Sequence, residues 1–239
     1  MCGIVGYVGE NSASPILIDG LKKLEYRGYD SAGIAVSENG KTDVVKTKGR
    51  IKNLEEKLEE VGGLSGTVGI GHTRWATHGA PTDVNAHPHK GGNGRITLVH
   101  NGIIENYIEL KTMLQKGGYV FVSETDTEVL AHLFDYYYKG DLLDAMVNVM
   151  KTVRGSYAVA ILADDKPGTI IAARKDSPLI VGLGDGENFL ASDIPAVLKY
   201  TRDCYLLEDN QIAVLTKDNV TLYDLSLIHI SEPTRLQLI

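Results

Sequence analysis

Cysteine is nearly absent from this chain. Only Cys2 and Cys204 occur among 239 residues, which excludes a disulfide framework and predicts a reducing, cytoplasmic setting that keeps a thiol reduced. Runs of like charge are also missing. The 24 basic and 31 acidic residues give a net charge of -7 and lie dispersed, which argues against nucleic acid or an anionic membrane as a main partner. No apolar stretch reaches the roughly 20 residues of a membrane span. The N-terminus lacks the basic-then-apolar form of a secretory signal. Tryptophan occurs once and phenylalanine three times, so Trp75 stands out. Hydrophobic residues make up 43% of the chain, enough for a sizeable globular core.

The pattern predicts helices grouped among many short strands. Gly3 to Val8 reads as a buried strand. Ile16, Leu17, Leu21 and Leu24 recur at helical spacing behind Pro15, a residue suited to a first turn. Gly33 to Val36 and Asp43 to Lys48 read as strands, Ile51 to Val61 as an amphipathic helix, and Thr67 to Gly71 and Ile96 to Val99 as further strands. Asn106 to Gln115 predicts a helix stopped by Gly117-Gly118. Thr125 and Glu128 form a Thr-x-x-Glu capping box ahead of another helix, and Leu142 to Val153 predicts one more. Seven short strands then follow between Tyr157 and Tyr223, with Asp185-Gly186 as a hairpin turn. Helices outside two face-to-face sheets in one α+β domain fit this order. Residues 1–224 form that domain; residues 225–239 have no clear period and read as a non-native or linker tail.

The chain opens Met1-Cys2-Gly3. Once Met1 is removed, Cys2 carries both a thiol and an α-amine that titrates near pH ~8, so one residue offers a nucleophile and its proton acceptor. A small buried hydrophobe at a strand start is the plain alternative.

Four polar clusters bear on that choice. In Tyr26 to Gly33, Arg27 and Gly28 read as a solvated charge and turn chemistry. His72 to Gly79 follows a buried strand; its Arg74 offers a planar fork for a carboxylate, and Trp75 a cover that excludes water. His87 and His89 invite a metal reading, but no Cys or carboxylate stands at a recognisable spacing, so no metal or cofactor is expected. In His100-Asn101-Gly102 the Asn-Gly pair is either a hairpin turn or two oxyanion donors, the Asn101 amide and the Gly102 N–H. Asp126 is a first-turn acid that also suits an ammonium group. Together these groups complement a free amino acid with a side-chain amide, glutamine or asparagine.

Six blocks of sequence, Met1 to Gly6, Tyr26 to Gly33, His72 to Gly79, Asn85 to His89, His100 to Asn106 and Ser123 to Glu128, resemble the glutaminase domain of the glucosamine-6-phosphate synthases. The likeness runs in order from residue 1 to about 224. It implies an N-terminal nucleophile hydrolase fold, a four-layer αββα sandwich of two mainly antiparallel sheets, acting on L-glutamine. Carried over, it makes Cys2 the nucleophile with its own α-amine as base, and Asn101 and Gly102 the oxyanion hole. Arg74, Thr77, His78, Gly102 and Asp126 would bind glutamine, with Trp75 as a cap and Arg27, Gly28 and His87 in support. In full-length members, which form homo-oligomers, ammonia would pass to a C-terminal fructose-6-phosphate isomerase domain. Two alternatives stand beside it: an amidophosphoribosyltransferase-like glutaminase domain, or a non-catalytic glutamine-binding module if Met1 is retained.

Overall fold

A computed structural model describes residues 2–75, 79–230 and 235–237. Its first half runs β1 (Gly3–Val8), α1 (Ala13–Leu24), β2 (Ser31–Glu38), β3 (Lys41–Lys48), α2 (Ile51–Glu60), β4 (Val68–Arg74), β5 (His89–Gly91) and β6 (Ile96–Ile104). Three helices follow, α3 (Tyr107–Lys116), α4 (Asp126–Tyr137) and α5 (Leu142–Thr152). The second half is β7 (Gly155–Ala163), β8 (Ile170–Lys175), β9 (Ile180–Leu183), β10 (Asn188–Ala191), β11 (Asp203–Leu206), β12 (Ile212–Leu215), β13 (Val220–Tyr223) and β14 (Arg235–Gln237). Among the described residues no helix is long and apolar enough to cross a membrane.

The strands form two antiparallel sheets. One has the order β14-β11-β9-β10-β1-β4-β2-β3 and the other β13-β12-β8-β7-β6-β5. Alternation along each strand assigns its two faces. On β1, Val5 and Tyr7 turn towards α1 and α2, while Ile4 and Val8 turn towards the other sheet. On β7, Val159 and Ile161 meet the helices α3 to α5, and Ala158, Ala160 and Leu162 face inward. The layers are therefore helix, sheet, sheet, helix: an α+β sandwich. Fully burying side chains such as Ile4, Ile70, Val99 and Leu190 between the sheets contributes about 1.5–3 kcal/mol each before chain entropy is set against it.

Several boundaries extend beyond the local pattern. The β2 strand starts at Ser31 because it pairs with β4 from Ser31 opposite Arg74 to Ser37 opposite Val68. The β6 strand continues through Asn101-Gly102 to Ile104 because β7 pairs with it along its whole length. Short β5 and β14 were not expected from periodicity; β14 adds to the sheet edge beside β11. The Asp185-Gly186 turn does join a hairpin, β9 with β10.

The topology fixes the location of the site. Strand β1 is central in its sheet and pairs antiparallel with β4, with Gly3 opposite Thr73. Cys2, the residue before β1, therefore lies beside the end of β4. The end of β6 in the other sheet approaches from below.

Candidate active site

Cys2 is half-buried, and its Sγ accepts a hydrogen bond from the Trp75 N–H at 3.2 Å. It borders a cleft of about 290 Å³, open mouth included, lined by Cys2, Arg74, Trp75, His87, His100, Gly102, Thr125, Asp126 and Thr127. A wider groove along α3, lined by Glu105, Ile108, Thr112, Met113, Lys116 and Arg154, contains no cysteine. Burial pushes the Cys2 thiol up; the Trp75 N–H and the Arg74 charge pull it part of the way back. A raised thiol stays protonated at neutral pH, so attack by this sulfur needs a base.

Asn101 joins the two sheets at that point. Its Nδ2 donates to the Cys2 carbonyl at 3.1 Å, and its Oδ1 lies 2.9 Å from His72 Nε2. The hairpin reading of Asn101-Gly102 does not hold, because both residues lie within the β6–β7 ladder, Asn101 opposite Ala158 and Gly102 opposite Tyr157. Gly102 has φ +124°, and a Cβ there would sit 2.1 Å from the Ser156 carbonyl oxygen. Only glycine fits.

Arg74 is 4% exposed, and its guanidinium donates to the Gly79 and Ala80 carbonyls at 3.2 and 3.4 Å. Burial lowers its pKa from the usual arginine value. Trp75 is 45% exposed and meets Tyr29 edge-on with ring centroids 5.5 Å apart. Gly28 packs against the Arg74–Trp75 peptide, where a Cβ would lie 2.7 Å from the Arg74 carbonyl carbon. Asp30 N–H then donates to the Arg74 carbonyl at 3.0 Å. The turn chemistry of Tyr26 to Gly33 thus supports the Cys2–Trp75 corner from outside. Arg27 pairs with Asp193 at 2.7 Å and does not border the cleft.

Asp126 opens α4 with its carboxylate buried, and Oδ2 accepts from the Ile104 N–H at 2.9 Å. That bond ties the start of α4 to the end of β6. The capping box is half formed: Thr125 Oγ1 accepts from the Glu128 N–H, whereas the Glu128 carboxylate reaches back past Thr125. It accepts from the Val122 and Ser123 N–H groups and from the Ser123 hydroxyl. Burial alone would raise Glu128; these bonds and His132 hold it down at about 2.

A layer of imidazoles lies beneath. His72 stacks on His87 with centroids 4.0 Å apart, and His87 meets His89 edge-on at 5.0 Å. His87 Nδ1 accepts from the His100 N–H, and His100 Nδ1 lies 3.1 Å from the Thr127 hydroxyl. Burial holds His72 at about 3 and keeps His87 and His89 well below the ordinary histidine value. All three are neutral at working pH. Among the described residues, no cluster of three or more His, Cys, Asp or Glu could hold a metal ion.

The structure thus gathers Cys2, Arg74, Trp75, Gly102, Asp126 and His87 around one cleft, with Asn101 bonded to Cys2 at its base. Thr77 and His78 lie outside the described residues. Sequence reasoning missed His72, His100, Thr127 and Asn85. Asn85 bridges the Ala80 carbonyl and Glu124, fastening the loop after β4 to the segment before α4. The available signal for His72 was its place directly after the apolar Thr67 to Gly71 run, at the head of a polar cluster.

A family described as "Glutamine amidotransferase domain" matches residues 72–199. Glutamine–fructose-6-phosphate aminotransferase (isomerizing) of Clostridium tetani is 61% identical over 224 residues, 94% of this chain and 37% of that protein. The enzyme of the same name from Thermus thermophilus is 57% identical over 225 residues, again 94% of this chain and 37% of the relative. The chain thus spans about 37% of the length of these relatives. Among solved structures, a glutamine phosphoribosylpyrophosphate amidotransferase from B. subtilis superposes with a TM-score of 0.82 at 27% identity. That match covers 95% of this chain and 50% of the other. A class-II glutamine aminotransferase domain protein from Silicibacter pomeroyi, 14% identical with a TM-score of 0.64, shares the fold.

Proposed function

The chain belongs to the glutamine amidotransferase domain family, and on that premise we propose that it hydrolyses L-glutamine to L-glutamate and ammonia through a thioester on Cys2. The observation that carries this reading is the single cleft bordered by Cys2, Arg74, Gly102 and Asp126, with the Asn101 amide bonded at the base of Cys2. Arg74 receives the substrate α-carboxylate and Asp126 its α-ammonium, so the amide carbon points down the cleft to Sγ. Thr77 and His78 would also bind glutamine, Trp75 covers the cleft, and Gly28 and His87 brace it, with Arg27 in outer support.

Removal of Met1 exposes the Cys2 α-amine. As sulfur attacks, the thiol proton moves to that amine, an S–C bond forms, and the carbonyl pair moves to oxygen. The Asn101 Nδ2–H and Gly102 N–H stabilise the oxyanion. Collapse expels ammonia with the proton held by the α-ammonium. Water, deprotonated by the same amine, then cleaves the thioester and restores the thiol.

Relatives 55–61% identical to this chain are glutamine–fructose-6-phosphate aminotransferases, against 27% for the phosphoribosyl enzyme; this favours the aminotransferase reading. In a full-length protein of that kind, a C-terminal isomerase domain would receive the ammonia, and the assembly would be homo-oligomeric. The glutaminase unit is residues 1–224, and removing residues 225–239 should leave turnover intact.

The test is glutamate release, with intact mass measured on the same sample. Molecules beginning at Cys2 should turn over and molecules retaining Met1 should not. Equal activity in both would remove the α-amine from the mechanism, and no activity in fully processed protein would leave the glutamine-binding module as the better reading.

A further inference from the structure

We infer that His72 is a positioning residue for the oxyanion hole: its Nε2–H fixes the Asn101 amide so that Nδ2 faces the nucleophile. The inference rests on the glutaminase reading above and deepens it. Asn101 has two amide orientations of nearly equal shape, with opposite consequences. With Nδ2 towards Cys2, a donor meets the developing oxyanion. With Oδ1 there, a lone pair does, and the oxyanion is repelled.

The hydrogen-bond inventory around Asn101 permits one arrangement. The Cys2 carbonyl can only accept, so the Asn101 atom 3.1 Å from it is Nδ2. Its Oδ1 then needs a donor. His72 Nε2 stands 2.9 Å from that oxygen and 3.0 Å from the His100 carbonyl, a second group that only accepts. With acceptors on both contacts, His72 carries its proton on Nε2. One Nδ2 hydrogen goes to the Cys2 carbonyl, and the second is the oxyanion donor.

The ring itself is held firmly. It is fully buried on β4, stacked 4.0 Å above His87, and its Nδ1 makes no hydrogen bond among the described residues. A neutral imidazole in this place has one donor aimed one way. A hydroxyl could rotate and a carboxylate would accept, so neither would set the amide. The bond also crosses from one sheet to the other, which makes the oxyanion donor sensitive to how the sheets register. Burial keeps His72 neutral, at about 3, so the donor does not change over the enzyme's working range.

The experiment compares protein with Met1 removed against its His72→Leu and His72→Gln variants. Removing one oxyanion donor costs about 100- to 1000-fold in kcat. His72→Leu frees the amide to turn without deleting it, so the expected loss is about 10- to 100-fold in kcat with KM within about threefold. His72→Gln carries an N–H of similar reach and should recover most of that loss at an unchanged melting temperature. A kcat for His72→Leu within about threefold of wild type would overturn the inference. So would a loss confined to KM, or a Gln variant no better than Leu.

If His72→Leu does not fold, the ¹⁵N signature of His72 in the wild-type protein decides. An Nε2-protonated, Nδ1-bare ring from pH 6 to 8 is expected. An Nδ1-protonated ring would refute the assignment. Absence of wild-type glutamine turnover would instead strike the proposed function, and the tautomer measurement separates the two failures.

Discussion

Replacing Gly102 with alanine perturbs stability and catalysis by amounts that the backbone geometry sets. The residue has φ +124°, and an added Cβ would stand 2.1 Å from the Ser156 carbonyl oxygen and 3.0 Å from Tyr157 Cα. Both contacts are main chain, so no side chain can swing aside; β6 must move away from β7. Holding an L-residue at that φ costs about 1–3 kcal/mol. Forcing packed backbone apart adds about 1–3 kcal/mol. Together they predict a loss of about 2–6 kcal/mol, or ~4–24 °C in melting temperature for a chain of this size.

Gly62→Ala is the control. Gly62 has φ +80° but nothing within 4 Å of its Cβ position, so it carries only the conformational cost, about 1–2 kcal/mol. Catalysis should separate the two further. Gly102→Ala displaces the peptide N–H from the oxyanion and should lower kcat by about 100-fold or more, whereas Gly62→Ala should leave kcat alone. Thermal unfolding and glutamate release on both variants are the assays. If Gly102→Ala is no less stable than Gly62→Ala and keeps its kcat, the assigned geometry of the β6 end is wrong.

Arg74→Lys should raise KM for glutamine at least about tenfold, because an ammonium cannot grip a carboxylate with two parallel bonds; unchanged affinity would contradict the assignment. The buried imidazoles predict acid sensitivity. His72, His87 and His89 have folded pKa values below the unfolded value of about 6.5, so the unfolded chain binds more protons as pH falls through 6.5. Stability is full above that pH and declines below it, by about 2 kcal/mol for His72 on reaching pH 5, with His87 and His89 acting in the same direction. Glu128, held near 2, adds its own loss only below the ordinary carboxylate range. A melting temperature that stays flat from pH 7.5 to 5 would show that these rings are not held neutral.

The parts of this protein set by near neighbours in sequence were legible without the structure. The α1 and α2 faces follow from apolar spacing, and the β9–β10 hairpin from Asp185-Gly186. Cys2, Arg74, Gly102 and Asp126 stood out within polar clusters, each beside a plain structural reading, and the family resemblance is what joined them into one site. What was illegible depends on partners distant in the chain. Asn101-Gly102 is a strong turn signal, yet pairing with Gly155–Ala163 keeps it extended. The β5 strand has only three residues, His89–Gly91, and a strand that short leaves no period to read. His72 looked like one more histidine in a polar cluster; its meaning comes from Asn101 and His100 in the opposite sheet. Glu128 passes over Thr125 to Ser123 and Val122, a choice made by the loop's path rather than by the Thr-x-x-Glu spacing.

The most direct test of the central claim is to treat the protein with an electrophilic glutamine analogue and map the labelled residue by mass spectrometry. One adduct is expected, on Cys2, confined to molecules from which Met1 is gone, with hydrolysis lost in step with labelling. No adduct is expected in Cys2→Ala, whose affinity for glutamine should persist. Labelling at the buried Cys204, or continued glutamine hydrolysis by protein fully modified at Cys2, would contradict the claim.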